Sequence, residues 1–166
     1  MINLQPIMWN NCWEVTELRV DKAQSNFVAT NSDSLVEAFV AHNQNNYTPI
    51  TRAIYNDETL VGFLMVSYLK NGHEYDVEDV LFTSDGSPCY LFHRLMIAKD
   101  HQGKGYGKEA ILQIIDYVKS KPHGEADYFY ISFEPENKSA RIVYKKAGFR
   151  EDGRIIGGEE VFVMDI

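Results

Sequence analysis

Several things are scarce in this chain, and each scarcity removes a class of function. Its two cysteines, Cys12 and Cys89, share no Cys-x-x-Cys spacing and have no nearby histidine pair, so they read as buried thiols and no metal is expected. Basic residues are outnumbered, 16 Lys and Arg against 24 Asp and Glu, and the formal net charge of −8 opposes binding to nucleic-acid phosphates while attracting cations. No apolar run approaches the length needed to cross a bilayer; residues 63–66 are typical of the longest. The opening Met1-Ile2-Asn3-Leu4-Gln5-Pro6 lacks the basic start and apolar core of a secretory leader, which makes the cytoplasm the expected location. Repeats, low-complexity tracts and linkers are also missing, so residues 1–166 are expected to form one domain, long enough for a real core.

What is present centres on His101-Gln102-Gly103-Lys104-Gly105-Tyr106-Gly107-Lys108. The preceding residues 89–97 are aromatic and aliphatic enough for a buried strand, and Ile111, Ile114, Ile115 and Val118 then recur at helical spacing. A strand therefore feeds a glycine loop that opens a helix. Glycines at alternate positions let a ligand approach the backbone, and the first helical turn offers unpaired N–H groups at the positive end of its dipole, which suits phosphate. A P-loop is disfavoured, because Gly107-Lys108 is followed by Glu109 and its spacing is absent. A dinucleotide fingerprint is disfavoured too, since Gly103, Gly105 and Gly107 fall one residue short of Gly-x-Gly-x-x-Gly.

The remaining elements follow from periodicity and punctuation. Residues 2–7 read as a strand, and Asn11 reads as the cap of a short helix over residues 12–18. A second helix over residues 34–41, with its cap signal at Asn31 to Asp33, carries Leu35, Ala38 and Phe39 on one face, with Asp33 and Glu37 toward another. Strands at 51–55 and 60–69 flank the polar turn 56–58 as a hairpin. Residues 71–79 form the most acidic window, either a solvated loop or a rim that recruits cations. After the central helix, Pro122-His123-Gly124 is a stop, residues 127–133 are a strand, and a helix begins after Pro135-Glu136-Asn137 and ends at Gly148. Strands at 149–156 and 160–166 close around Gly157-Gly158. This order implies an α/β (α+β) fold, a mixed sheet with helices on both faces.

The loop satisfies Gln-x-x-Gly-x-Gly with Gln102, Gly105 and Gly107, and Asn137, Tyr144, Gly148 and Phe149 follow as Asn…Tyr…Gly-Phe. Together these resemble the GNAT superfamily of N-acetyltransferases, from about residue 89 to the C-terminus. Gln24, Asn26 to Ala29, Asn31, Ser34, Leu35 and the run from His93 to Ile97 resemble bacterial spermine/spermidine acetyltransferases. The resemblance implies a mixed, mostly antiparallel twisted sheet of about six to seven strands. Its central parallel strands splay to leave a slot for the pantetheine arm of acetyl-CoA. It also implies that the main chain of Leu95, Met96 and Ile97 holds that arm, with an N–H such as that of Met96 polarising the thioester carbonyl. The backbone of Gln102, Gly103, Lys104, Gly105, Tyr106, Gly107 and Lys108 would hold pyrophosphate, Asn137 would contact the cosubstrate, and Tyr144 would protonate the departing thiolate.

Acetyl transfer to an amine needs the neutral amine, a stabilised oxyanion and a proton for the thiolate. For an alkylamine of pKa about 10.4, neutralisation at pH 7 costs roughly 4–5 kcal/mol. His93 is a candidate base on the same strand face as Leu95 unless a bulge intervenes, and a core histidine is the alternative. Asn137 also reads as a helix cap and Tyr144 as a core aromatic. Asp33 and Glu37 are candidate carboxylates for a cationic substrate, or simply a solvated helix face. The expected partner is a small-molecule amine, most specifically spermine or spermidine, with a second copy in a homodimer as the assembly and neither nucleic acid nor membrane. A protein N-terminus or another small amine is the alternative acceptor, and a silent acetyl-CoA-binding regulator the alternative function.

Overall fold

Residues 61–69 are all buried, and they form most of β3 (Thr59–Leu69), the strand that carries the centre of the sheet. A strand apolar on both faces needs cover on both sides, and helices supply it. In the computed structural model, which describes residues 1–45, 47–74 and 80–166, β3 lies between β2 (Thr48–Asn56) and β6 (Cys89–Ile97). The seven-stranded sheet is completed by β1 (Ile2–Pro6), β7 (Tyr128–Phe133), β8 (Arg150–Ile156) and β9 (Glu159–Asp165), in the order β1-β2-β3-β6-β7-β9-β8. A separate pair joins β4 (His73–Glu74) to β5 (Val80–Leu81). The expected acidic window falls largely on residues 75–79 and the Glu74 side chain, which lie outside the described residues.

Helix α3 (Tyr106–Lys119) buries Ala110, Ile111, Ile114, Ile115 and Val118 against one face, and α4 (Lys138–Ala147) adds Tyr144 to the same core. The opposite face is covered by α1 (Cys12–Glu17) through Val15 and by α2 (Asn31–Gln44) through Ala38 and Ala41. The mixed sheet with helices on both faces is thus the fold read from the sequence.

Four local details differ from that reading. The cap of α2 is Thr30, whose hydroxyl accepts from the Asp33 N–H and donates to its carboxylate. The buried face of α2 is Asn31, Ser34, Ala38 and Ala41, while Phe39 stands 68% exposed, because small side chains let the helix approach the sheet closely. The Asn11 side chain turns away from α1, accepting from the Met8 N–H and donating to the Pro6 carbonyl. Cys89 is buried as expected, but Cys12 is only half-buried.

Two irregularities of β6 shape the functional region. Its parallel pairing with β7 comprises Tyr90 to Phe129, Leu91 to Tyr130 and Phe92 to Ile131, although both strands run further. They splay beyond that point. On the other side, Met65 pairs with Arg94 and Val66 with Phe92, leaving His93 as the extra residue of a β-bulge. The bulge puts Phe92 and Leu95 in the same core despite their odd separation, with Leu91 and Met96 in the other.

Candidate active site

The glycine loop is built as its letters imply. Gly103 and Gly105 have φ of 75° and 86°, conformations that favour residues without Cβ, and Gly105 is the left-handed residue from which α3 starts. A Cβ at either would meet no non-neighbouring atom within 4 Å, so the backbone there is open to close approach. The first helical N–H to find a partner across this turn is that of Glu109, bonded to the Gly105 carbonyl. The amides of Tyr106, Gly107 and Lys108 precede it and form the positive end of the helix dipole. The loop is therefore an anion cradle.

It opens into a cavity of about 360 Å³ that is also lined by Leu95, Met96, Ile97 and Asn137. Lys104 is not part of its wall; the Lys104 ammonium donates to the Asp100 carbonyl on the exposed side. A second cavity of about 400 Å³ lies where β6 and β7 splay, walled by His93, Arg94, Ser132, Glu134 and Glu159. Phe27, Val28, Leu95, Asn137, Ala140 and Tyr144 line both cavities, so these residues form their junction.

Tyr144 is 8% exposed and packed among Phe92, Phe133 and Phe149, with ring centroids at 6.0, 5.6 and 6.0 Å. Burial pushes its phenol well above the ordinary range, which keeps the hydroxyl protonated throughout the working pH range. Asn137 caps α4 by accepting from the Ala140 N–H at 3.1 Å, and its place at the junction lets it serve both as cap and as a wall.

The bulge sets the surroundings of His93. Its ring stacks on Tyr47 at 5.3 Å between centroids, and its Nδ1 lies 3.8 Å from Glu37, on the α2 side rather than beside Leu95. Glu37 also accepts from Arg94 at 3.1 Å and from the Tyr47 hydroxyl at 3.1 Å. Asp33 is engaged in the Thr30 cap, and neither Asp33 nor Glu37 lines the cavities. The geometry gives both carboxylates other partners. The acidic groups that do face the second cavity are Glu134 and Glu159, the latter fixed by the Ser132 hydroxyl at 2.5 Å. Glu134 stands one residue beyond the expected strand and three before Asn137, a position legible in the sequence; Glu159 arrives only through the pairing of β9 with β7.

The sequence profile of the acetyltransferase (GNAT) family matches residues 12–149, most of the chain. The chain belongs to this family. It is an acetyl-CoA-dependent N-acetyltransferase. Among curated proteins, the spermine/spermidine N(1)-acetyltransferase of Bacillus subtilis is 25% identical over 166 residues, covering 99% of both chains. Among solved structures, the spermidine N-acetyltransferase of Vibrio cholerae in complex with CoA and spermine superimposes with a TM-score of 0.67 at 19% identity, covering 99% of this chain and 94% of that one. An aminoglycoside acetyltransferase in complex with coenzyme A and kanamycin gives 0.71 at 15% identity, with 99% and 95% covered. At such identities the solved structures establish the fold. The cradle of this acetyltransferase fits a pyrophosphate on its own geometry: two Cβ-free positions facing open space, at a helix N-terminus. No helix among the described residues is long and apolar enough to cross a membrane.

Proposed function

We propose that this acetyltransferase, as one domain over residues 1–166, transfers the acetyl group of acetyl-CoA to a primary amine of spermine or spermidine. The observation that carries the substrate class is the full-length likeness to the Bacillus enzyme, and the two carboxylates facing the second cavity are its physical support. Acetyl-CoA lies along the cradle cavity, its pyrophosphate on the Gln102 to Lys108 backbone and its pantetheine arm along Leu95, Met96 and Ile97. The acceptor amine enters from the second cavity and meets the thioester at the junction.

The amine nitrogen attacks the thioester carbonyl carbon, whose oxygen is stabilised by the Met96 N–H. The C–S bond then breaks, and Tyr144 protonates the thiolate. His93 takes the proton that the amine must lose, and Glu37 stabilises the resulting imidazolium from 3.8 Å. Replacing His93 with Gln is expected to lower kcat/KM at pH 7 by about 10²-fold, the low end of general-base contributions. The deficit should shrink as pH rises toward the amine's own pKa of about 10.4, where the free amine no longer needs a base. A deficit constant from pH 7 to 10 returns His93 to a packing role.

The remaining ammonium groups of a polyamine are met by Glu134 and Glu159. Glu159→Gln is expected to raise the KM for spermine several-fold and leave acetyl-CoA affinity unchanged. The wild-type KM for spermine should rise with salt, since charges at a cavity mouth are screened over about 8–10 Å near physiological ionic strength. A monoamine should show a higher and less salt-sensitive KM. These constants come from a panel of amines incubated with acetyl-CoA while free thiol is followed.

One observation favours a second acceptor class. Arg94 Nε is buried beside the second cavity without a hydrogen-bond partner, and the first carbonyl of a peptide N-terminus would satisfy it. Thiol release with a peptide N-terminus and none with polyamines selects that reading; no release with any amine leaves an acetyl-CoA-binding regulator.

A further inference from the structure

The segment between α1 and α2 crosses both cavities, and a single amide group fastens it to the glycine loop. The Gln102 side-chain nitrogen uses both of its hydrogens: one goes to Gln24 Oε1 at 2.7 Å, the other to the Ile97 carbonyl at 2.8 Å. That nitrogen therefore joins the end of β6, the first residue of the cradle motif and the crossing segment. Gln24 passes the connection on, because its main-chain carbonyl accepts from the Phe27 N–H at 3.0 Å. Phe27 and the adjacent Val28 line both cavities, while Asn26 and Ala29 line the second one only.

Upstream the segment has one more attachment of comparable kind, the Lys99 N–H to the Arg19 carbonyl at 2.9 Å. The Lys99–Asp21 ion pair at 3.8 Å is solvent-exposed and contributes little. Downstream it is held by the Thr30 cap of α2. Between those anchors Phe27 is 38% exposed, so little apolar packing fixes its position. Val28 packs on the core, so what ties Phe27 to the cradle is the chain of bonds from Gln102 through Gln24.

We propose that Gln24 is a positioning residue that couples the two cavities: when CoA orders the cradle around Gln102, the Gln102–Gln24–Phe27 chain orders the wall of the acceptor cavity. This rests on the reading that CoA occupies the cradle cavity and the amine the second one. Gln24 touches no reacting atom. It acts by reducing the ordering that remains to be done when the second ligand binds, which is positive cooperativity between sites. Linkage requires the effect to be reciprocal, so the amine must tighten CoA by the same factor.

The test is calorimetric, on the full chain, with spermine titrated in the absence and in the presence of saturating CoA, which cannot donate an acetyl group. The wild type should bind spermine about tenfold more tightly with CoA present, and CoA should gain the same factor from spermine. In Gln24→Leu this ratio should fall roughly three- to tenfold, the equivalent of one net hydrogen bond. Gln24→Glu keeps an oxygen to accept from Gln102, so it should restore the ratio even though its charge weakens CoA binding on its own. A merely structural role would change the separate affinities and leave the ratio intact.

A wild-type ratio near one, or an undiminished ratio in Gln24→Leu, overturns the coupling and leaves the acetyltransferase reading standing. If CoA binds the wild type but spermine does not bind even with CoA, the polyamine reading fails and the coupling to it falls as well.

Discussion

Tyr144→Phe is expected to lower kcat by about 10²- to 10⁴-fold, the range typical of a positioned general acid, while acetyl-CoA affinity changes little. The substitution keeps the ring that packs on Phe92, Phe133 and Phe149, so its effect isolates the hydroxyl. Burial raises the phenol above its ordinary value, which at first makes it a weaker acid. The same burial disfavours the charged thiolate leaving into that space, raising its proton affinity too, so the transfer is not penalised twice. The sign for pH dependence follows. A phenol whose folded pKa is raised contributes stability that is present below about pH 10 and is lost as pH rises through the folded value. No loss of activity from Tyr144 ionisation should therefore appear below about pH 10. Steady-state kinetics with thiol detection, set beside calorimetric CoA affinity, checks both statements; an active Phe variant assigns Tyr144 to the core.

The second large effect belongs to Gly105. Its φ of 86° costs a β-branched residue about 1–3 kcal/mol of strain, yet a Cβ there meets no protein atom. Gly105→Val should fold with a lowered melting temperature and lose acetyl-CoA affinity by about a hundredfold or more. That corresponds to one or two charge-assisted hydrogen bonds between the cradle and pyrophosphate, each worth about 1.5–3 kcal/mol. Gly105→Ala separates the two contributions, since a methyl group carries less strain and still stands in the approach to the backbone. Unchanged CoA affinity by calorimetry in a folded Val variant removes the pyrophosphate from this loop.

The parts of this protein that were legible in its amino-acid order are those whose cause is local. The strand Cys89–Ile97, the glycine loop and the apolar stripe of α3 were readable because each follows from the conformational freedom of neighbouring residues or from a 3.6-residue period. The Asn137 cap and the Gly148 stop of α4, where φ reaches 104°, belong to the same kind. Phe39 departs from the apolar face that helical spacing predicts, because the sheet admits only the small side chains of α2 at close range.

Tertiary structure decided what depends on partners far along the chain. The bulge at His93 exists only as a mismatch between β6 and β3, and it turns that side chain toward Glu37 and Tyr47. Pairing of Glu37 with Arg94 across 57 positions withdraws a carboxylate that helical spacing alone left open to substrate. Glu159 reaches the second cavity through the β7–β9 ladder, and Gln24 meets Gln102 across 78 positions. Period and propensity act over a few residues, whereas register and long-range hydrogen bonds are set when the whole sheet closes, and in this protein that closure determines which charges face the second cavity.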